Sequence, residues 1–202
     1  MKRTLVIGDI HGGLRGLTQV LERASVTTDD HLIFLGDYVD GWSESAQLIQ
    51  YLIELNEKQS CVFVLGNHDL WCKRWLDMGA TNPVWLEHGG KATMNSYIET
   101  GYLTQEAHRQ FFRNLRNYHI DEANRLFIHA GFTSMHGVEK EYNENDFYFD
   151  RTLWESARVL KEVDDFKRGD IETRLDLYHE IYIGHTPTIN YGIGEPIQAQ
   201  NL

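Results

Sequence analysis

Three short apolar runs, TLVIG at 4–8, LIFLG at 32–36 and VFVLG at 62–66, constrain this 202-residue chain more than any other feature. Each ends in Gly followed at once by Asp or Asn, and a stretch with helical spacing comes next. Continuous β-branched and Leu runs of this kind read as strands of a parallel sheet buried on both faces, with the intervening helices as crossovers. Leu14, Leu17, Val20, Leu21 and Ala24 mark the apolar face of the first helix, and Leu48, Ile49, Leu52, Ile53 and Leu55 that of the second. Ser43 or Ser45 is placed to cap the second helix. Further along, Thr104 to Asn117 predicts a helix with a Thr cap, Arg125 to Ala130 a buried strand, Glu155 to Val163 a helix and Ile181 to Gly184 a short late strand. The chain is therefore read as an α/β protein, with helices flanking sheet, in one domain over 1–202.

Composition removes several classes of function. Hydrophobic residues make up 42% and charged residues 24%, which suits a folded soluble protein. The net charge of −11 repels phosphate backbones and anionic membranes, so neither nucleic acid nor membrane is an expected partner. No stretch approaches the roughly 18 apolar residues a membrane helix requires, and the apolar run near the N-terminus is too short for a signal-peptide core. Two cysteines, Cys61 and Cys72, make no disulfide framework. A cytoplasmic location is expected.

In open α/β sheets, ligands gather where successive loops leave the carboxyl ends of strands. Here GDIHG, GDYVD, GNHD, HAG and GHTP follow five predicted strands, and they deliver Asp9, His11, Asp37, Asp40, Asn67, His68, Asp69, His129 and His185. Asp and Asn often cap helices at such turns, which accounts for any one of them alone. Capping does not select His at three strand ends. Carboxylates and imidazoles bind first-row divalent cations, and one carboxylate can bridge two of them in a phosphate-cleaving site.

These five motifs, in this order, resemble the calcineurin-like metallophosphoesterases, and within them the phosphoprotein phosphatase (serine/threonine phosphatase) family. The segment WLEHGGKATMNSY at 85–97 is similar to the one following GNHD in bacterial-type members. The resemblance implies two divalent metal ions, Mn, Fe or Zn, with Asp9 and His11 on the first, Asp37 bridging, and Asn67, His129 and His185 on the second. It further implies that His68 is the general acid and that Asp40 orients it, roles suited to an imidazole beside a carboxylate. Asp69 is read as supporting structure rather than as a ligand. The implied substrate is a phosphoprotein or a small phosphoester, with a dinucleoside polyphosphate, in the manner of diadenosine tetraphosphatases, as the alternative.

The sequence departs from that family in two places. Where GDxVDRG carries a phosphate-gripping Arg, this chain has Gly41, and Gly cannot replace a bidentate guanidinium. A second phosphate-binding Arg is expected near the apolar-Trp pair Leu153-Trp154, where Arg158 is preferred to Arg151; Lys73 and Arg74 are weaker substitutes for the Arg missing at 41. The resemblance also implies further strands after GHTP, so a fold lacking C-terminal strands, with an exposed sheet edge, is expected. His31, His88, His108, His119, His136 and His179 are read as ordinary surface or half-buried residues, and 141–150 as a solvated insertion.

Overall fold

The computed structural model describes residues 3–162 and 173–202. The chain divides after Arg116 into two compact units.

In the first unit the three apolar runs form β1 (Thr4–Ile7), β2 (His31–Phe34) and β3 (Ser60–Phe63), all parallel in the order β1-β2-β3. Parallel pairing requires a crossover, and α1 (Leu14–Arg23) and α2 (Ser45–Asn56) supply the two. β2 is central, and its Leu32, Ile33 and Phe34 have no exposure. Of the expected face of α1, Leu17 and Leu21 are buried, but Val20 is half exposed because the stripe facing the sheet is narrow. The α2 face follows expectation at Leu48, Ile49 and Leu52.

After β3 come α3 (Asn67–Met78), a one-turn α4 (Pro83–Trp85), a kinked turn at Leu86–Gly90, α5 (Lys91–Thr100) and α6 (Glu106–Arg113). Trp75, Trp85, Tyr97 and Phe112 from these helices join Leu48, Ile49 and Leu52 in one core.

Two helix-start expectations fail. Neither Ser43 nor Ser45 caps α2. The N-cap is Glu44, and the Ser45 hydroxyl instead accepts from the Asp40 backbone N–H at 3.3 Å and lies 3.1 Å from Thr93 Oγ1. Thr104 belongs to a 3-10 turn, so α6 begins two residues later, with Gln105 as N-cap. α6 also ends early. Arg116 leaves it to extend the sheet, donating to the Phe63 carbonyl at 3.0 Å and accepting from Leu65 N–H at 2.8 Å.

The second unit contains β4 (Tyr118–Ile120), β5 (Arg125–Ile128) and β6 (Glu180–Tyr182), with β4 antiparallel and β6 parallel to β5. Between β5 and β6 lie α7 (Asp146–Phe149) and α8 (Thr152–Glu162). The expected helix at 155–163 starts earlier, where Asp150 accepts from the Thr152 and Leu153 N–H groups; Val163 lies outside the described residues. The 141–150 stretch contains α7 and is tied back by Glu141, whose carboxylate accepts from the backbone of Ser134 and Tyr142. Among the described residues, no helix is long and apolar enough to cross a membrane.

Candidate metal centre

The site in the first unit grows from the loops after β1, β2 and β3. His11 sits in the loop after β1, and its Nδ1 lies 3.0 Å from the Val39 carbonyl. A carbonyl only accepts, so Nδ1 donates to it, and in the neutral imidazole Nε2 is then the nitrogen with the lone pair. That Nε2 faces Asp9 Oδ2 and Asp37 Oδ2, each at 3.9 Å. The separation is too long for a hydrogen bond, and it leaves an imidazole nitrogen and two carboxylate oxygens facing one another. Fixing the far nitrogen of a ligating imidazole on a backbone carbonyl is the usual way a metal site orients its His.

Asp37, at the end of β2, is almost fully buried, and its Oδ1 accepts from the His68 backbone N–H at 3.0 Å. Asn67 opens α3, directly before His68, and is buried. Asp69 does not face this cluster as a ligand. Its Oδ2 accepts from Asp37 N–H at 2.7 Å and Gly66 N–H at 2.9 Å, and its Oδ1 from Tyr38 N–H at 2.9 Å, so it locks the β2 loop onto the start of α3. Each of those bonds is charge-assisted and shielded from water.

His68 and Asp40 form a pair, with Nδ1 2.7 Å from Oδ2. Asp40 has no solvent exposure, yet its carboxylate is fully engaged: Trp85 Nε1 donates to Oδ2 at 2.8 Å and Thr93 Oγ1 to Oδ1 at 2.6 Å. Burial alone would pull the His68 imidazole below its ordinary pKa. The bond to Asp40 and the charges of Asp37, Asp40 and Asp69 outweigh this, and the net shift is upward.

Trp85 and Thr93 are the functional partners that motif reading missed. The segment WLEHGGKAT was visible in the sequence, but nothing there says that its indole and hydroxyl close around Asp40. Gly90 is required for this, because a Cβ on it would lie 2.5 Å from Trp85 Cε2. Gly41, in place of the expected Arg, has φ +93°, a conformation in which an L side chain is strained. The loop as folded therefore suits Gly at this position and presents no guanidinium from it.

In the second unit, His129 follows β5 and His185 follows β6. Because these strands are parallel neighbours, the two imidazoles come together, with ring centroids 5.1 Å apart, and the Gly184 N–H donates to the His129 carbonyl at 2.9 Å. Arg151 Nη1 donates to Thr186 Oγ1 at 2.8 Å, one residue past His185. Arg158 instead lies 4.2 Å above the Tyr191 ring. Of the two, Arg151 is the one bonded at the His185 loop. Lys73 and Arg74 lie on α3 beyond Cys72.

Burying carboxylates as close together as Asp37, Asp40 and Asp69 costs heavily unless each is bonded, paired or metal-bound. Asp40 and Asp69 are held by protein donors, and Asp37 Oδ1 by the His68 N–H. Asp37 and Asp9, facing the His11 lone pair, make a mixed oxygen and nitrogen donor set that fits a first-row divalent cation. The ligand atoms of His11, Asp37 and His68 all lie within 4.8 Å of one another.

The family model for calcineurin-like phosphoesterases matches residues 2–199. The chain belongs to this family. Its members are dinuclear-metal-dependent phosphoric ester hydrolases. Among curated proteins, it is 40% identical over 187 residues to a symmetrical bis(5'-nucleosyl)-tetraphosphatase of Pseudomonas putida strain W619, with 91% of this chain and 55% of that protein covered. A protein of the same name from Coxiella burnetii is 38% identical over 71 residues, 35% of this chain and 23% of that one. This chain spans about half the length of the P. putida relative. Among solved structures, a metallophosphoesterase from Sphaerobacter thermophilus superposes with a TM-score of 0.51 at 25% identity, covering 91% of this chain and 60% of that one. A cold-active protein-tyrosine phosphatase from a Shewanella species shares the fold at TM-score 0.54 and 17% identity, over 92% and 66% of the two chains. The resemblance read from the motifs thus holds for the calcineurin-like family, while these curated relatives are named as tetraphosphatases and not as serine/threonine phosphatases.

Proposed function

We propose that this chain is a metal-dependent hydrolase of dinucleoside polyphosphates. The observation that carries the reading is the 40% identity to the P. putida tetraphosphatase across nearly the whole chain. Gly41 offers no guanidinium to a phosphate, so in this reading the grip on phosphate falls to other groups. The sequence-based preference for a protein phosphatase accordingly gives way to the second reading.

In this proposal Asp9, His11, Asp37, Asn67, His129 and His185 hold two divalent cations, Mn, Fe or Zn. The cations would supply a clamp on the phosphate and an activated water for in-line displacement. The rest falls to protein groups. His68, its Nδ1 proton held by Asp40, presents Nε2 to the leaving oxygen as proton donor. Arg151, beside the His185 loop, supplies a guanidinium to a phosphate oxygen. Symmetrical cleavage of diadenosine tetraphosphate gives two ADP molecules.

The test is a substrate panel on the Mn²⁺-loaded chain, with diadenosine tetraphosphate against a phosphoserine peptide. The expected result is ADP as sole nucleotide product and slow or no release of phosphate from the peptide. Peptide hydrolysis without tetraphosphate hydrolysis would return the assignment to the protein phosphatases.

A further inference from the structure

The first unit has a cavity of about 480 Å³ beside Asp9, within the range of small-ligand sites. Its lining includes Asp9, Ile10, Arg15, Val20, Trp42 and Glu44. Trp42 is the feature that needs explanation. Large aromatic side chains are normally buried, yet 71% of this one is exposed, while Trp85 and Trp75 of the same unit are in the core. The Trp42 backbone is not loose. Its N–H donates to the His11 carbonyl at 2.8 Å, and its indole edge lies over Gly13, where a Cβ would sit 3.6 Å from Cδ1. An aromatic platform is thereby tied directly to a candidate metal ligand.

Arg15 supplies a cation to the same cavity. It is nearly fully exposed, and its Nε is 3.8 Å from Glu44 Oε2, an exposed pair worth little and readily exchanged for a phosphate. Exposed Val20 adds apolar surface to the wall. An indole face, an apolar wall and a guanidinium within one small cavity match the parts of a nucleotide: base, sugar and phosphate. Stacking on an aromatic ring is how proteins hold a base without reading its identity, because every base has a π face.

We propose that this cavity is a nucleoside subsite, in which the base of a nucleotide stacks on Trp42 and a phosphate meets Arg15 on the way to Asp9. The subsite deepens the proposed function, on which its assignment to a dinucleoside substrate rests, by assigning base stacking to Trp42. The turn that lacks Arg at 41 places an indole next to it, so stacking of the nucleoside adds to the contact of a phosphate with Arg15.

The inference is tested by binding, without turnover. The full chain, free of metal and carrying 5-fluorotryptophan, is titrated with adenosine 5'-monophosphate and followed by ¹⁹F NMR, with the Trp42 signal assigned by its loss in Trp42→Phe. The expected result is a saturable shift of that signal, and an AMP affinity by isothermal titration calorimetry that is about tenfold weaker in Trp42→Ala, as loss of a base-aromatic stack predicts, and largely kept in Trp42→Phe. A Trp42 signal that AMP leaves unmoved overturns the subsite, as does one that moves with protein concentration in the absence of nucleotide, which would mark a self-association surface. The two proposals fail separately. AMP binding at Trp42 in a chain that hydrolyses only phosphopeptides would remove the proposed function and leave the subsite, whereas tetraphosphate hydrolysis with an unmoved Trp42 signal would remove the subsite alone.

Discussion

His11, Asp37 and Asp40 have φ values of +50°, +53° and +71°, and His185 has +62°. Seven non-Gly residues among those described have positive φ, and these four are candidate site residues. Each such conformation costs about 1–3 kcal/mol, so the surrounding bonds must hold it. At Asp37 the clamp is Asp69, and at Asp40 it is the Thr93 hydroxyl, which accepts from the Asp40 N–H at 2.9 Å while donating to its carboxylate. Strain and its restraint therefore meet at the atoms that would do the chemistry. Asp40→Asn keeps the shape and a carbonyl acceptor but removes the charge that steadies the His68 imidazolium. Turnover of the metal-loaded enzyme is expected to drop about tenfold or more, with bound metal unchanged by elemental analysis. Wild-type turnover in this variant would remove Asp40 from the mechanism.

At the scale of elements, the β-loop-α units of the first half place Asp9, Asp37 and Asn67 at successive strand ends, and the parallel β5–β6 pair sets His129 beside His185. The segment from Pro83 to Thr100 has a different task. It lays Trp85, Gly90 and Thr93 over Asp40, so this helical cover holds the acid pair dry. Gly90→Ala forces a methyl group into the Trp85 indole. We expect a stability loss of about 1–3 kcal/mol, typical of an overpacked core, read as a lower urea midpoint, together with reduced turnover as Trp85 withdraws from Asp40. A variant with wild-type midpoint and turnover would show that the turn yields without disturbing Asp40. The motifs made the strand ends legible because Gly-Asp and Gly-Asn after an apolar run carry their meaning locally. The cover was not legible in this way, since the bonds from Trp85 and Thr93 span 45 and 53 residues.

At the scale of the whole chain, a net charge of −11 disfavours polyanions in general, so the proposed polyphosphate substrate would depend on bound cations and on local groups such as Arg151 and Arg15. Charge also enters through His108, which was expected to be an ordinary surface or half-buried residue and is fully buried, with its ring nitrogens 3.1 Å from Tyr97 Oη and Gln50 Oε1. Burial lowers its pKa from 6.5 to about 4. The folded state thus resists a proton that the unfolded chain accepts. Its contribution to stability is intact above pH 6.5, falls as the pH drops from there toward 4, and levels off below, with a total of up to about 3 kcal/mol. Urea unfolding at pH 7, 5.5 and 4 should show His108→Gln losing less stability than the wild type on acidification; parallel losses would assign the acid sensitivity to other groups. What the sequence determined by itself was the α/β grammar and the calcineurin-like family, with its candidate ligands at strand ends, because strand runs, glycine turns and motif residues are properties of contiguous residues. Only tertiary structure decided which hydroxyl, indole and amide groups hold those side chains in strained positions, that Arg151 and not Arg158 stands at the His185 loop, and that Trp42 lies open beside Asp9, because each depends on residues that only folding brings together.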